Sequence, residues 1–479
     1  MAAQPSATNP ADLPATELLR LYANRTLSPV AVAEAVIARA EAAEPHLHAL
    51  YAFAPDEALA SARASEARWT RGEALPLDGV PVTIKENIAT QGVPMPLGTA
   101  ARDDAPPSLR DAPATARLRE DGAVILAHTT MPDYGMLSSG LSSFHPLTRN
   151  PWDPTKGPGG SSAGSGAAAA AGYGPLHLGT DIGGSIRLPA SWCGVVGLKP
   201  SHGRVPLDPP YYGRCAGPLA RTVADAALMM RTLSRPDERD PTALPPADLP
   251  WLDLDGLDVK GLRLGLVMEA GAGLALDPAN RAVIETAARL LAEAGAIVEP
   301  VPAFLTQAML DGLDLFWRQR ASLDIEALDE PRRARVLPFI RDWAAGGRAL
   351  SGATVFHGMS QMAAMRDAGL AAIRPFDFLI GPVSPNPPFP AEHASPTNDP
   401  ARAMAHIAYT VPFNMSEQPA ISVPAGFTPD GLPVGLQIAG RRFDDVGVLR
   451  VARAFERIRP ALRPWPVVSQ SGPRVPSFR

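Results

Sequence analysis

Apolar positions recur at helical spacing in "SPVAVAEAVIARAEAAEP", with Ser28 placed to cap the first turn. With "TELLRLYANRT" before it, this predicts a helical N-terminal lobe over about residues 1–65. The period then changes. In "LDGVPVTIKENI", Val80, Val82 and Ile84 alternate with Pro81, Thr83 and Lys85, the pattern of a short strand. "TARLREDG" followed by "AVILAHT" reads as helix then buried strand, and "GVVGL" as another strand. "GPLARTVADAALMMRTL" has the period of a helix. "GLRLGLVMEA", a helix through "NRAVIETAARLLAEAG", and "AIVEPV" form a β-α-β unit, which implies parallel pairing. "FDFLIGP" predicts one more strand. "PAISVPAGFTPDGLPVGLQIAG" predicts two around a Pro-Asp-Gly turn, and "VGVLRVARAFERI" a closing helix. The pattern predicts an α/β fold with a large mixed β-sheet surrounded by helices. No internal repeat is found, and residues 236–255, rich in Pro and Asp, read as a surface connection.

Composition narrows the function classes. The 479 residues are 46% hydrophobic and 19% charged, an ordinary globular balance with ample chain for a core. The net charge is −5 and there is no basic run, which argues against nucleic acid. No run of about twenty apolar residues occurs, so no membrane span is expected. The first residues, "MAAQPSATNPADLP", lack the charged and apolar regions of a leader, so a cytoplasmic location is the expectation. Cys193 and Cys215 have no metal-binding or disulfide spacing. Lysine stands at only four positions, 85, 156, 199 and 260, and the other 40 of the 44 basic residues are arginine. Arginine keeps its proton and lysine can lose it, so a lysine in an apolar setting is a candidate base.

The densest candidate chemistry is "GPGGSSAGSGAAAAAGYGPLHLGTDIGGSIRLPA", Gly157–Ala190. Gly164–Ala169 fits a dinucleotide fingerprint, and Gly160–Gly164 fits a nucleophile elbow centred on Ser162. Both need a strand immediately before them, and "NPWDPTKGPGGSS" cannot supply one. A flexible linker is also excluded, because "AAAAAG" and "LHLGTD" are too apolar. A serine nucleophile needs a base, and Ser-Lys pairs are an alternative to Ser-His-Asp. Lys85 ends an apolar strand, where burial favours the neutral amine. The glycines of "TDIGGS" let backbone N–H groups approach a substrate oxygen beside Ser185. His177 and His202 lie close in sequence, but lone histidines are more often structural.

The stretch "GGSSAGSGAAAAAG…LGTDIGGSIRLPASWCGVVGLKP" resembles the signature of the amidase signature family, including the 24 positions between Ser161 and Ser185. "GVPVTIKEN", "MPDYGM", "NPWDP", "GPLARTVADAALM" and "LPVGLQIAG" resemble its flanking motifs in the right order, from about Leu18 to Phe455. The resemblance implies one domain over residues 1–479. It implies Ser185 as nucleophile, Ser161 after a cis peptide as bridging serine, and Lys85 as base. Ile182, Gly183 and Gly184 would supply the oxyanion hole with Ser185's own N–H. Ser162, Thr180, Asp181 and Arg187 match supporting positions. Ala163 departs from the family's usual glycine.

The segment from about 302 to 374 matches no motif and falls where the family shapes its substrate pocket. Phe316, Trp317 and Met359, with Leu313, are candidates for an apolar lining. The implied reaction is hydrolysis of an apolar or aromatic small-molecule amide through a seryl acyl-enzyme, without metal or cofactor. A carbamate or ester hydrolase is an alternative. So is the glutaminase component of a tRNA-dependent amidotransferase, which would need a partner protein. Whether the chain forms a homodimer is left open.

Overall fold

The computed structural model describes residues 9–468, so the first part of the predicted N-terminal lobe, which includes most of "MAAQPSATNPADLP", lies outside the described residues. Eleven strands form one mixed sheet: β1 (Leu50–Tyr51), β2 (Pro81–Lys85), β3 (Val124–Thr129), β4 (Leu176–Asp181), β5 (Val196–Lys199), β6 (Cys215–Ala220), β7 (Arg263–Leu266), β8 (Ile297–Pro300), β9 (Phe378–Pro382), β10 (Ala420–Phe427) and β11 (Pro433–Ala439). Their order across the sheet is β1-β3-β2-β4-β6-β5-β10-β11-β9-β7-β8. The expected β-α-β unit is present, with β7 and β8 parallel around the helix Pro278–Glu293. β10 and β11 pair antiparallel across the Pro-Asp-Gly turn. The N-terminal helices Ala15–Ala23, Pro29–Leu47 and Pro55–Arg71 also form as expected, and Ser28 accepts from the Val30 N–H as a cap.

Two elements differ from the sequence reading. "LHLGTD" is strand β4, which no alternation announced because it is buried on both faces. "GPLA", read as the start of a helix, is the end of β6, and the helix begins at Val223. Pro218 can stand in this strand because β5 pairs only with Leu219 and Ala220, which leaves one side of Pro218 free of a ladder bond.

The pleat divides the core. Leu176, Leu178, Ala216 and Ala220 face the helices Val223–Leu233, Pro278–Glu293 and Asp445–Ile458. Leu219 faces the other way, toward the helices Ala163–Ala171 and Arg187–Cys193. All nine residues of the helix Ala163–Ala171 are buried. Its small side chains permit that. A Cβ on Gly164 would lie 2.1 Å from the Ala49 carbonyl oxygen, and one on Gly166 2.9 Å from the Pro189 side chain. The polyalanine run is therefore a close-packed central helix. Ala163 opens it without strain.

The site lies where the ends of three strands converge. β2 and β4 are parallel neighbours, so Lys85 and Asp181, their last residues, finish at the same edge. β6 runs antiparallel to β4 with Cys215 opposite Asp181, so the chain preceding β6 enters at that edge too. The segment 302–374 folds into helices, chiefly Gln307–Glu326, Pro338–Ala345 and Gly352–Ile373, which pack into a second apolar layer above it.

Candidate active site

Lys85 is fully buried, and its Nζ donates to three hydroxyls: Ser161 Oγ at 2.7 Å, Thr180 Oγ1 at 3.0 Å and Ser162 Oγ at 3.1 Å. Burial holds its pKa well below the ordinary lysine value. The nearby Arg214 charge adds to this, while Asp181 and Glu86 oppose it. The peptide Gly160–Ser161 is cis. Gly135 of the "MPDYGM" motif has a positive φ, and a Cβ there would come within 3.2 Å of Ser161 Oγ, so its glycine keeps room for that hydroxyl. Ser162 Oγ also donates to the Thr180 carbonyl and accepts the Thr180 N–H, tying the serine segment to β4.

Asp181 organises the loop that follows β4. Its carboxylate accepts the N–H groups of Gly184 at 2.8 Å and Ile186 at 3.1 Å, and it forms a two-pronged ion pair with Arg187. Burial pushes its carboxyl up, but Arg187, Asn414 and Lys199 outweigh burial and hold it below the usual carboxylate range. Arg187 is itself buried and reaches the Thr410 carbonyl, Gln437 and Asn414. This corrects one expectation. The Gly184 N–H is committed to Asp181 and does not stand free for an oxyanion. The amides of Ile182, Gly183 and Ser185 donate to no protein acceptor among the described residues.

Ser161, Thr180, Ile182, Gly183 and Ser185 all line one cavity of about 630 Å³. Trp317 lines it as well, and its ring backs the loop: a Cβ on Gly183 would meet Trp317 at 3.1 Å and Ile407 at 3.2 Å. The other pocket candidates lie elsewhere. Phe316 and Met359 border a separate depression of about 420 Å³. Leu313 is fully buried between helices. On the helix Gln307–Glu326, Trp317, Arg320 and Asp324 share the cavity face at steps of three and four, and Phe316 is turned about 100° away from Trp317. Met359, 54% exposed, faces outward on the helix Gly352–Ile373.

His177 bonds Thr83 and the Gly174 carbonyl, Cys193 the Pro158 carbonyl, and Lys199 the Pro200 carbonyl. Sequence reading missed Asn414, Gln437 and Thr410, which reach Arg187 from more than 220 positions away and carry no local signal. It also missed Asn87, whose Nδ2 donates to Thr180 Oγ1 and which lay inside the quoted "KEN".

A buried lysine among three hydroxyls thus stands at a strand end, in one cavity wall with Ser185 and the free amides. The Amidase family model matches residues 31–449, and the chain belongs to that family. Among relatives, it is 35% identical to an acylamidase of Rhodococcus erythropolis, over 94% of this chain and 96% of that protein. It is 36% identical to the A subunit of the glutamyl-tRNA(Gln) amidotransferase of Chloroflexus aggregans, over 90% and 93%. Among solved structures, a bacterial aryl acylamidase of the amidase signature family superposes with a TM-score of 0.85 at 30% identity, covering 94% of this chain and 96% of that one. The peptide amidase of Stenotrophomonas maltophilia superposes at 0.81 and 27% identity, covering 95% and 98%. The protein is an amide-hydrolysing enzyme of α/β fold. No helix among the described residues is long and apolar enough to cross a membrane.

Proposed function

We propose that the enzyme hydrolyses small apolar or aromatic amides through an acyl-enzyme on Ser185. The observation that carries this reading is the 2.7 Å bond from the buried Lys85 to Ser161, in a cavity that Ser185 also lines. A lysine with a lowered pKa is a base. Ser185 Oγ attacks the amide carbonyl carbon and gives its proton to Ser161, whose own proton passes to neutral Lys85. The developing oxyanion lies against the amides of Ile182, Gly183 and Ser185, donors already in place before the reaction. As the tetrahedral adduct collapses, the C–N bond breaks and the nitrogen leaves with a proton from Ser161, which Lys85 replenishes. Water then attacks the acyl-enzyme by the same relay and frees the acid. Asp181 and Arg187 act as positioning residues that hold the loop in shape.

The substrate preference rests on the cavity wall, where Met131, Tyr134, Leu137, Trp317 and Ile407 supply apolar surface. Small-molecule pockets are commonly apolar with few polar anchors. The same acyl chemistry would serve a carbamate or an ester. The identity to an amidotransferase component favours glutamine as the second substrate to test. Ser185→Ala should abolish turnover and leave melting unchanged, and an acylating serine reagent should label Ser185 in the wild type. Labelling at Ser162 would overturn the assignment. A panel of anilides, aliphatic amides, a carbamate, an ester and glutamine, with Ser185→Ala as blank, tests the substrate. A clear preference for glutamine would replace the apolar-amide reading.

A further inference from the structure

The cavity wall carries three arginines, Arg102, Arg214 and Arg320, and two aspartates, Asp208 and Asp324. Both aspartates are already engaged. Asp208 receives Arg110 at 2.8 Å, and Asp324 lies 3.8 Å from Arg320. Arg214 has no carboxylate partner among the described residues. Its Nη2 donates to the Asn87 carbonyl at 3.4 Å, a long and weak bond, and the like charge of Arg320 acts on it. Arg320 in turn lies over the Tyr211 ring at 4.1 Å.

The position of Arg214 is set by the sheet. Asp181 pairs with Cys215 across β4 and β6, so continuing the register puts Arg214 opposite Ile182, the first of the free amides. Burial and Arg320 lower its pKa only to about 10, so it is charged at neutral pH. Arg214 is partly buried in the cavity wall without a carboxylate partner, so its charge is left to be met by a group that enters the cavity.

We propose that Arg214 binds an anionic group of the substrate, so that the preferred amides carry a carboxylate as well as an apolar body. This rests on the amide-hydrolase reading above and narrows its substrate class. Arginine suits the task because its planar fork meets a carboxylate with two parallel bonds. The carboxylate can sit on the acyl portion or on the amine portion, and the two sources are separable by experiment.

The test uses two matched pairs of substrates. Succinamic acid against butanamide places the charge on the acyl side. 4-Acetamidobenzoate against 4-acetamidotoluene places it on the amine side. The kcat/KM ratio of the charged to the neutral member is measured in wild type, Arg214→Gln and Arg214→Lys, on the alkaline plateau where Lys85 is neutral. Intrinsic reactivity cancels when the ratios are compared between variants. The ratio should fall about 30-fold in Arg214→Gln for at least one pair, and the lysine variant should recover part of it. Ratios that stay within about threefold for both pairs overturn the proposal, because Arg214 then acts on both members alike. If the wild type turns over none of the four amides, the reading of small apolar or aromatic amides as substrates fails instead. In that case calorimetric binding of benzoate, kept by wild type and lost in Arg214→Gln, still supports the anion site, and its absence in wild type overturns it. Melting of each variant is compared first. Should Arg214→Gln melt early, Arg214→Lys and the wild-type benzoate measurement decide.

Discussion

Lys85 is the residue whose environment matters most. Its pKa is depressed, so the neutral base exists well below the ordinary lysine range. kcat/KM should rise with pH and reach its plateau below the pKa of a free lysine, about 10.4. Arg214 contributes to the depression, so Arg214→Gln should move the rising limb to higher pH. A limb that stays in place would show that the Arg214 charge does not reach Lys85. Lys85→Arg should lose activity as fully as Lys85→Met, because arginine keeps its proton. The same shift acts on stability. Between the folded and unfolded pKa values the unfolded chain binds one more proton at this site, so its contribution to stability increases as pH rises. Wild type should therefore gain stability relative to Lys85→Met as pH rises toward the free-lysine value, about 10.4, read as the difference in denaturation midpoints. An unchanging or narrowing difference would contradict the assigned direction.

At the level of the element, the loop from Ile182 to Ile186 is held from both sides. Asp181 ties down the amides of Gly184 and Ile186, and the Trp317 and Ile407 side chains close on Gly183. Gly183→Ala should force that wall back by a few tenths of an ångström and displace the free amides. We expect kcat to fall about 10- to 100-fold with little change in melting, since loss of one oxyanion donor costs about 100-fold or more. Unchanged kcat would mean that the amides do not face the reacting oxygen. Asp181→Ala removes the counter-charge of the fully buried Arg187. Stranding such a charge costs about 3–5 kcal/mol, so the variant should unfold at markedly lower denaturant, and Asp181→Asn should lose less. Equal stability of Asp181→Ala and wild type would show that the pair does not hold the loop.

At the level of the whole molecule, one sheet brings together residues spread from position 85 to position 437. β2 and β4 are close in space although about 90 residues separate them, and the helix Ala163–Ala171 passes against the sheet between them in sequence. The helical layer of residues 307–373 closes the cavity from above, and Trp317, Arg320, Asp324 and Trp343 are among the residues it contributes. Trp317→Ala should change selectivity among aromatic amides more than it changes the pH profile, because it touches the wall and not the Lys85 relay. The substrate panel measured across pH distinguishes the two. A shifted pH limb with unaltered selectivity would place Trp317 in the proton relay instead.

The strongly periodic helices, the alternation in β2, the β-α-β unit and the hairpin around Pro-Asp-Gly were legible because each depends on neighbours a few positions away. The serines and Lys85 were legible for another reason. They stand in a long motif whose residue types and spacing resemble the family's signature. β4 was not legible, because a strand buried on both faces loses the alternation that marks strands. Nor were the partners of Arg187, which the fold recruits from the C-terminal part of the chain. Phe316 and Met359 are apolar, and apolarity alone cannot tell which side of a helix faces a cavity. Gly184 looked free because its conformation could be read and its acceptor could not. Charge balance was the least visible property. The sequence has arginines and aspartates enough for extensive pairing, and their placement in three dimensions leaves Arg214 beside the serines without an acid.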